Sequence, residues 1–402
     1  MRLHNKVRFL SLYFSSIGIR QSLQILLSLF ILPFKKKANI RSKFHRSFSE
    51  LHNGHKSFSY SSARSSLFAC LEAAEIGGDD EVLLSSFTCL AVPTAVIAVG
   101  AKPKYCDIDS STLNVDINQL EKCISDKTKA VVIQHTLGSI LSSKDINKLR
   151  KHDNLIIIED CALSIGSTDN GKLIGTSADA AIFSLELSKT ISCGWGGVLL
   201  VNNNQLEKKI NENYRRVKEI GSLKSIRMAL QTSISGVLYS PYIYPFGKYF
   251  ISLLFKIKLF APSTPNCELQ GEVEEDFMCK MPKTLLPLAN RQIARFDELT
   301  FKHQENFNRL RKKLIELDYQ VVGVGSETDL RISPRVAFLV EDRNAFIDFF
   351  NKRGIEVGLW FDGPLTPFPE DKSFNYNIED YPNSSLVAKH IVNLPCHAKL
   401  NQ

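Results

Sequence analysis

The stretch from Leu155 to Val201, LIIIEDCALSIGSTDNGKLIGTSADAAIFSLELSKTISCGWGGVLLV, decides the fold. It contains three short apolar runs, LIIIE, AAIFSL and VLLV, each bounded by polar or glycine-rich residues. Continuous apolar runs of this length are typical of strands that are buried on both faces of a parallel sheet. Asp160 directly follows the first run, and Lys189 lies between the second run and the glycine turn of residues 194–197.

The same alternation of strands and helices extends upstream to Ser61. It predicts an α/β fold with a mostly parallel sheet covered by helices, in which ligands bind at the carboxyl ends of the strands. The predicted helices are Ser65–Glu75, Pro93–Val99, Ile117–Ile124 and Ser143–Lys151, and the predicted strands are Glu81–Leu84, Pro103–Cys106, Ala130–Gln134, Leu155–Ile158, Ala180–Ser184 and Val198–Val201.

Asp160 and Lys189 occur in an order that suits pyridoxal 5'-phosphate (PLP) chemistry. That chemistry needs a carboxylate to hold the pyridine nitrogen protonated, and a lysine to form a Schiff base and then move a proton. Each residue has an ordinary alternative, because an aspartate before a helix is often an N-cap and a loop lysine usually faces solvent. The pair in this order and this fold is much more specific than either residue alone.

A phosphate group would need backbone N–H groups and hydroxyls at the start of a helix. The run SSARSS, residues 61–66, supplies both where the first predicted helix begins, and Ser184 adds another hydroxyl five residues before Lys189. An ordinary capping run is an equally good interpretation of SSARSS.

The blocks SSARSSLFACLEAAEIGGDDEVLLSSFTCLAVPTAVIAVGAKPKYCDID, TKAVVIQHTLG, IIIEDCALSIGS, GTSADAAIFSLELSKTISCGWGGVLLVNN and MPKTLLPLANRQIARFDEL resemble the DegT/DnrJ/EryC1/StrS family of sugar aminotransferases. The resemblance implies the PLP-dependent transferase fold type I (aspartate-aminotransferase-like), a homodimer, and amino transfer from glutamate to a keto-sugar, usually nucleotide-linked. It implies that Lys189 is the Schiff-base lysine and Asp160 its pyridinium partner. It also implies that Ala63, Arg64 and Ser184 belong to the phosphate site.

Several positions depart from the family pattern. Leu163 stands where the family usually has Gln or His, Cys89 where an aromatic stacks on the cofactor ring, and Met278 where an Asn reaches the partner subunit. An apolar insert, Met228 to Phe260, is absent from standard members. Two alternatives to an aminotransferase therefore stay open: a degenerate member with a scaffolding role at a membrane, and a PLP-dependent sugar dehydratase. The dehydratase relatives carry histidine in place of the lysine, so Lys189 argues against that alternative.

Three further candidates are weaker. His135, at the end of a predicted strand, could line the site or be a satisfied structural histidine, and Cys193 could be a persulfide thiol but is more typical of a small buried residue. Trp360 and Phe361 match a sugar-proximal aromatic of the family, with core packing as the alternative.

The charge and cysteine patterns narrow the class of protein. The nine cysteines and nine histidines lack the spacing of zinc or disulfide frameworks, which predicts a reducing, cytoplasmic setting and no metal. The net charge of +8 is concentrated in the first fifty residues, where no nucleic-acid reader motif is found. The apolar run from Ser22 to Phe34 is too short to span a bilayer, and basic residues flank it on both sides. This pattern favours an interfacial amphipathic helix that contacts a membrane peripherally. Packing of the helix onto the protein itself is the alternative.

We expect three parts along the chain: a basic, partly apolar leader at 1–50, a large PLP-binding domain at 51–300 with the insert at about 228–262, and a small C-terminal α/β domain at 301–402. A long helix from Asn290 to Leu317 is expected to link the two domains. The small domain is predicted to contain strands Arg335–Val340 and Glu356–Leu359 and a helix Arg343–Lys352.

Overall fold

A nine-stranded sheet forms the centre of the chain in the computed structural model, which describes residues 10–13, 16–31, 39–323, 329–369 and 371–397. Its strand order is β11-β12-β1-β10-β9-β6-β5-β2-β4. Strands β4, β2, β5, β6 and β9 pair in parallel, whereas β10 and β1 are antiparallel to their neighbours. The strands are β1 Lys56–Tyr60, β2 Glu81–Ser85, β3 Thr88–Cys89, β4 Lys102–Cys106, β5 Thr128–Gln134, β6 Ile156–Asp160, β7 Thr168–Asp169, β8 Lys172–Leu173, β9 Ala180–Ser184, β10 Gly197–Val201, β11 Lys218–Glu219, β12 Cys279–Lys280, β13 Gln320–Val321, β14 Arg335–Leu339, β15 Leu365–Thr366 and β16 Ile391–Pro395.

Helices cover the sheet and extend beyond it. They are α1 Ile19–Ile31, α2 Asn39–Leu51, α3 Ala63–Ala73, α4 Ala91–Ala98, α5 Ile117–Cys123, α6 Ser143–Lys148, α7 Asn204–Arg216, α8 Ser222–Leu238, α9 Tyr244–Lys256, α10 Leu286–Ile293, α11 Phe296–Glu316, α12 Arg343–Asn351 and α13 Pro382–His390, with 3-10 turns at Leu149–Lys151, Asn266–Gln270, Lys372–Phe374 and Ile378–Asp380.

The central strands are buried as their apolar sequences predict. All five residues of β9 and of β10 are buried, and one face of the sheet packs on α3 through a cluster that includes Leu67, Leu71 and Ile182. The other face packs on a second cluster, to which α2 contributes the fully buried Phe44 and Phe48. Because both faces of the sheet are buried, successive residues of these strands are apolar, and the sequence shows unbroken apolar runs.

The predicted mostly parallel α/β sheet is confirmed. Every predicted helix and strand between Ser61 and Val201 is found, with ends shifted by at most two residues. The last turn of the helix expected at Ser143–Lys151 is a 3-10 turn.

Two expected elements downstream are wrong. The single helix from Asn290 to Leu317 is two helices, because Arg295 has non-helical dihedral angles (φ −114°, ψ 20°) between α10 and α11. The strand expected at Glu356–Leu359 reduces to one bridge, in which Gly358 and Asn393 exchange backbone hydrogen bonds of 2.7 and 2.9 Å.

The apolar insert folds as a helical hairpin. Pro241 lies in the turn between α8 and α9, and Pro245 lies in the first turn of α9, where its missing N–H costs no helical hydrogen bond. The N-terminal apolar run forms α1, which packs against α8: the Ser233 hydroxyl donates to the Ser22 carbonyl at 3.3 Å. Residues 32–34 of that run, and the basic residues at 1–9 and 35–37, lie outside the described part. No described helix is both long and apolar enough to cross a bilayer.

A separate three-stranded antiparallel sheet, β13-β14-β16, forms the C-terminal region with α12 packed on it. The short parallel pair β3–β15 connects this region to the main sheet, with Cys89 opposite Thr366. Division into parts at residues 50 and 300 remains a prediction.

Candidate active site

A cavity of about 510 Å³ lies at the carboxyl ends of the parallel strands. The six residues that the sequence predicts for the site come from four elements and one loop, yet all of them line this one cavity. They are Ala63, Arg64, Cys89, Asp160, Ser184 and Lys189.

Asp160 is the last residue of β6, and its side chain faces the cavity while the residue is only 6% exposed. One carboxylate oxygen accepts the Ala162 N–H at 2.9 Å. Burial raises the pKa of Asp160, while that N–H and the nearby charge of Lys189 oppose the rise. A buried carboxylate in this position is stabilised by a cationic partner within the cavity.

Lys189 lies in the loop between β9 and β10, and its backbone N–H bonds the Glu186 carbonyl at 3.1 Å. Its Nζ atom is 5.5 Å from the centre of the Trp360 ring. Burial lowers the pKa of Lys189, and the positive charge of Arg335 adds to this, while Glu186, Cys89 and Asp160 oppose it. A lowered amine pKa increases the neutral form that can act as a nucleophile and base.

The N-terminus of α3 also lines the cavity. Ser62 is the N-cap, and its hydroxyl accepts the Ser65 N–H at 3.1 Å. Gly197 of β10 passes so close that a Cβ atom there would be 2.3 Å from the Ala63 nitrogen, so only glycine fits. The capping interpretation of SSARSS is therefore correct for Ser62, and residues 61–65 of the same turn line the cavity.

The Arg64 side chain already has two partners. Its guanidinium bonds the carboxylate of Glu268 and the carbonyl of Ser263. Glu268 is 3% exposed, and burial raises its pKa against the opposing charge of Arg64. The segment 261–277 thus covers the first turn of α3.

Ser184 and Cys89 have modest local roles. The Ser184 hydroxyl accepts the Glu186 N–H at 3.4 Å. Burial raises the pKa of the Cys89 thiol, which favours the neutral form beside Asp160 and Lys189. Cys89 supplies no ring, and the nearby Phe87 packs instead against Phe361 in the core, with ring centres 5.0 Å apart.

The weaker candidates divide into residues that line the cavity and residues that are buried away from it. His135 lines the cavity, but its Nε2 is 3.0 Å from Glu159 and its Nδ1 accepts the Leu141 N–H at 3.2 Å. Trp360 and Phe361 line the cavity, as does Leu163, whereas Met278 packs against the core. Cys193 is 1% exposed and burial raises its thiol pKa to about 12, which contradicts a reactive thiol.

His135, Glu159 and Cys161 bring three possible metal ligands within 4.8 Å of one another. The Glu159 carboxylate also accepts N–H groups from Gly175, Ser177 and Ala178 at 2.9 to 3.0 Å. Its lone pairs are therefore used in a buried hydrogen-bond network, and the absence of a metal stays a prediction.

Sequence reasoning missed several lining residues. Gln134 ends β5 and accepts the Thr88 hydroxyl at 2.6 Å, so the rule that ligands bind at strand ends would have found it. Glu186 and Trp195 flank Lys189 on either side. The lining residues from α8 and from 261–277 had no sequence signal that linked them to the site.

The buried carboxylate, the lysine with a lowered pKa and the helix N-terminus fit a PLP molecule in charge and in placement around one cavity. Asp160 would face the ring nitrogen, Lys189 the aldehyde carbon and the first turn of α3 the phosphate. This fold and site define a PLP-dependent transferase of fold type I.

Comparison with known proteins assigns the family. A model of the DegT/DnrJ/EryC1/StrS aminotransferase family matches residues 35–238 and 271–402, and the chain belongs to this family of PLP-dependent aminotransferases. The unmatched residues 239–270 contain α9 and the segment that reaches Arg64.

Among individual relatives, a pleiotropic regulatory protein of Geobacillus stearothermophilus is 25% identical over 83% of this chain and 77% of its own length. GDP-perosamine synthase of Escherichia coli O157:H7 is 34% identical, but over only 42% of this chain and 47% of its own length.

Solved structures share the fold. A family member from Brucella abortus superposes with a TM-score of 0.69 at 17% identity, covering 95% of this chain and 92% of its own. A Streptococcus pneumoniae protein solved with PLP gives a TM-score of 0.73 at 19% identity, over 97% and 94% of the two chains.

Proposed function

We propose that this enzyme transfers an amino group from glutamate to the keto carbon of a sugar, which is carried on a nucleotide. The observation that supports this most directly is that Asp160 and Lys189, from different elements, line one cavity with the N-terminus of α3. Relatives named for GDP-perosamine synthesis and for spore coat polysaccharide biosynthesis support a role in surface polysaccharide or amino-sugar formation.

Each residue contributes a separate function to this proposal. PLP supplies a ring that stabilises negative charge on the carbon next to the amino nitrogen. Asp160 would hold the ring nitrogen protonated, and its burial and its hydrogen bond from the Ala162 N–H fix the carboxylate in place. Lys189 would take a proton from the donor carbon in one half-reaction and would supply a proton to the acceptor carbon in the other, and its lowered pKa favours the neutral amine that acts as the base.

Trp360 covers the lysine. Its ring lies 5.5 Å from the Lys189 Nζ and excludes water from one side of the amine. Water exclusion strengthens the attraction between the amine, Asp160 and a bound anion, because charges interact more strongly in a low dielectric.

A sugar dehydratase is the second candidate, since one structural neighbour is a GDP-4-keto-6-deoxymannose-3-dehydratase, with a TM-score of 0.71 at 18% identity. Lys189 favours the aminotransferase, because the dehydratases carry histidine at this position. A scaffolding role without catalysis is the third candidate. It predicts no visible absorbance band after PLP is added.

The experiment is incubation of the purified chain with PLP, glutamate and a panel of nucleotide-linked keto-sugars, followed by mass spectrometry. We expect an amino-sugar product and 2-oxoglutarate, and Asp160→Asn should lower turnover by roughly 10²–10³-fold. Asp169→Asn, at a half-buried aspartate that does not line the cavity, is the matched control. Formation of a deoxygenated sugar without transfer of nitrogen would contradict the proposal.

We further propose that the enzyme is a homodimer in the cytoplasm and contacts the inner face of the membrane peripherally. The family resemblance supports the dimer, and the exposed apolar side chains of α1, α8 and α9 support the membrane contact. Light scattering of the purified protein tests the dimer, and a mass of one chain would contradict it.

A further inference from the structure

Three neighbouring helices each expose a pair of apolar side chains four residues apart, which places each pair on one helix face. We call the six side chains the platform. They are Leu23 and Leu27 on α1 (54% and 58% exposed), Ile226 and Leu230 on α8 (41% and 39%) and Phe246 and Phe250 on α9 (75% and 53%).

Direct contacts join the three helices into one layer with α8 in the middle. Ser22 at the start of α1 bonds Ser233 near the end of α8, so the two helices run antiparallel. At the other end, Ser28 and Ser225 both bond Thr284, at 3.2 and 2.9 Å. The Arg227 guanidinium of α8 bonds the carbonyls of residues 258 and 259 just after α9, at 2.7 and 2.8 Å.

The two segments that build the platform carry no acidic residue. Residues 1–49 contain ten Lys and Arg, and residues 222–267 contain five, without a single Asp or Glu in either segment. Removing these fifteen from the 50 cations of the chain leaves 35 against all 42 acidic residues. The rest of the sequence therefore has a net negative formal charge, and the excess positive charge belongs to the two segments that contain α1, α8 and α9.

We infer that the platform lies on an anionic lipid bilayer. Clustered exposed apolar side chains on helices with only basic charges are the pattern of interfacial membrane binding, in which apolar groups enter the acyl boundary and cations meet the headgroups. A second copy of this chain would bring two net-positive segments together, because the two segments carry fifteen cations and the ion pairs of their described residues involve only Glu219, Glu274, Asp276 and Glu356. This inference rests on the proposed peripheral location, and it identifies the platform as the surface that binds the membrane.

The same helix that contacts the bilayer forms a wall of the active site. Lys224, Met228 and Gln231 of α8 line the cavity, on the helix face turned away from Ile226 and Leu230. Thr232 packs against Gly194, in the turn that follows Lys189, so tightly that a Cβ atom at Gly194 would be 2.2 Å from its hydroxyl. The catalytic cavity and the proposed lipid surface thus lie on the two sides of one helix.

Vesicle flotation of the full-length PLP-loaded enzyme tests the inference. The vesicles contain either phosphatidylcholine alone or phosphatidylcholine with phosphatidylglycerol. We expect flotation with the anionic vesicles, loss of flotation at high salt, and at least roughly ten-fold weaker binding for the triple variant Leu230→Ser, Phe246→Ser, Phe250→Ser.

The matched control removes three apolar side chains that are equally exposed elsewhere: Phe301→Ser, Ile315→Ser and Leu317→Ser. It should float like the unchanged protein. Equal flotation of both variants would overturn the inference. So would absence of flotation together with a halved molecular mass of the platform variant, because the platform would then join two copies. The visible absorbance of bound PLP, recorded on the same samples, tests the enzymatic proposal separately.

Discussion

The carboxylate of Glu268 binds the guanidinium of Arg64 at the first turn of α3, where the cofactor's phosphate is expected. These residues are 204 positions apart, and Glu268 lies in the part of the chain that the family model does not match. A buried acidic group is therefore paired with the cation that is expected at the phosphate site.

Glu268→Gln should strengthen PLP binding. Glutamine keeps the shape of the side chain but removes a negative charge that repels the phosphate, so the dissociation constant should fall by roughly ten-fold. An absorbance titration with PLP measures it. Glu275→Gln, an exposed neighbour in the same segment, is the control and should leave the constant unchanged. Unchanged or weaker binding by Glu268→Gln would mean that this carboxylate does not oppose the phosphate.

Arg335→Met should shift the pH dependence of PLP attachment. The Arg335 guanidinium is 4.7 Å from the centre of the Trp360 ring, whose other cationic neighbour is Lys189, and its charge helps to lower the pKa of Lys189. Without that charge the pKa of Lys189 rises, so the variant should reach the same rate of covalent PLP capture only at a higher pH than the native chain.

Stopped-flow absorbance across a pH series measures this shift. The groups that face Arg335 are Tyr13, Glu186 and Glu356, and they remain in the variant. Arg331→Met, at a half-buried arginine paired with Asp329, controls for the loss of a buried cation. A pH profile of Arg335→Met that coincides with that of the control would contradict the prediction.

Glu159→Gln should destabilise the fold. Glu159 is 1% exposed and accepts hydrogen bonds from His135 and three backbone N–H groups. In glutamine, an NH2 group replaces one acceptor oxygen, so a hydrogen-bond donor would face groups that are themselves donors. We expect a loss of about 3 kcal/mol in the free energy of unfolding, measured by denaturant titration. Glu75→Gln, on the surface, should have no measurable effect. A loss below about 1 kcal/mol would contradict the role of this network.

The same network predicts acid sensitivity. Burial alone would raise the pKa of Glu159, but the hydrogen bonds from His135, Gly175 and Ser177 hold it below the ordinary value. A carboxylate whose pKa is lower in the folded state stabilises the fold above its unfolded pKa, and this stability is lost as the pH falls through the folded pKa. The stability difference between the native chain and Glu159→Gln should therefore shrink below the ordinary glutamate range.

The parallel sheet was predictable because strands buried on both faces, such as Ala180–Ser184, leave a continuous apolar signature. The position of Asp160 and Lys189 in one cavity was predictable because the strand-end rule and the order of the two residues are local in sequence, whereas their catalytic roles stay a prediction. The break at Arg295 was not, since neither glycine nor proline stands there. The pair Arg64–Glu268 was not, because a contact between residues so far apart depends on how the hairpin of α8 and α9 folds back.

The most direct test of the account is covalent capture of PLP by the purified full-length protein. PLP is added, the visible absorbance is recorded, borohydride is added, and the reduced protein is digested and mapped by mass spectrometry. The account predicts a visible band that borohydride removes and a single modified peptide containing Lys189, with both lost in Lys189→Ala and both kept in Lys224→Ala. A colourless mixture, or modification at Lys224 with Lys189 unmodified, would contradict it.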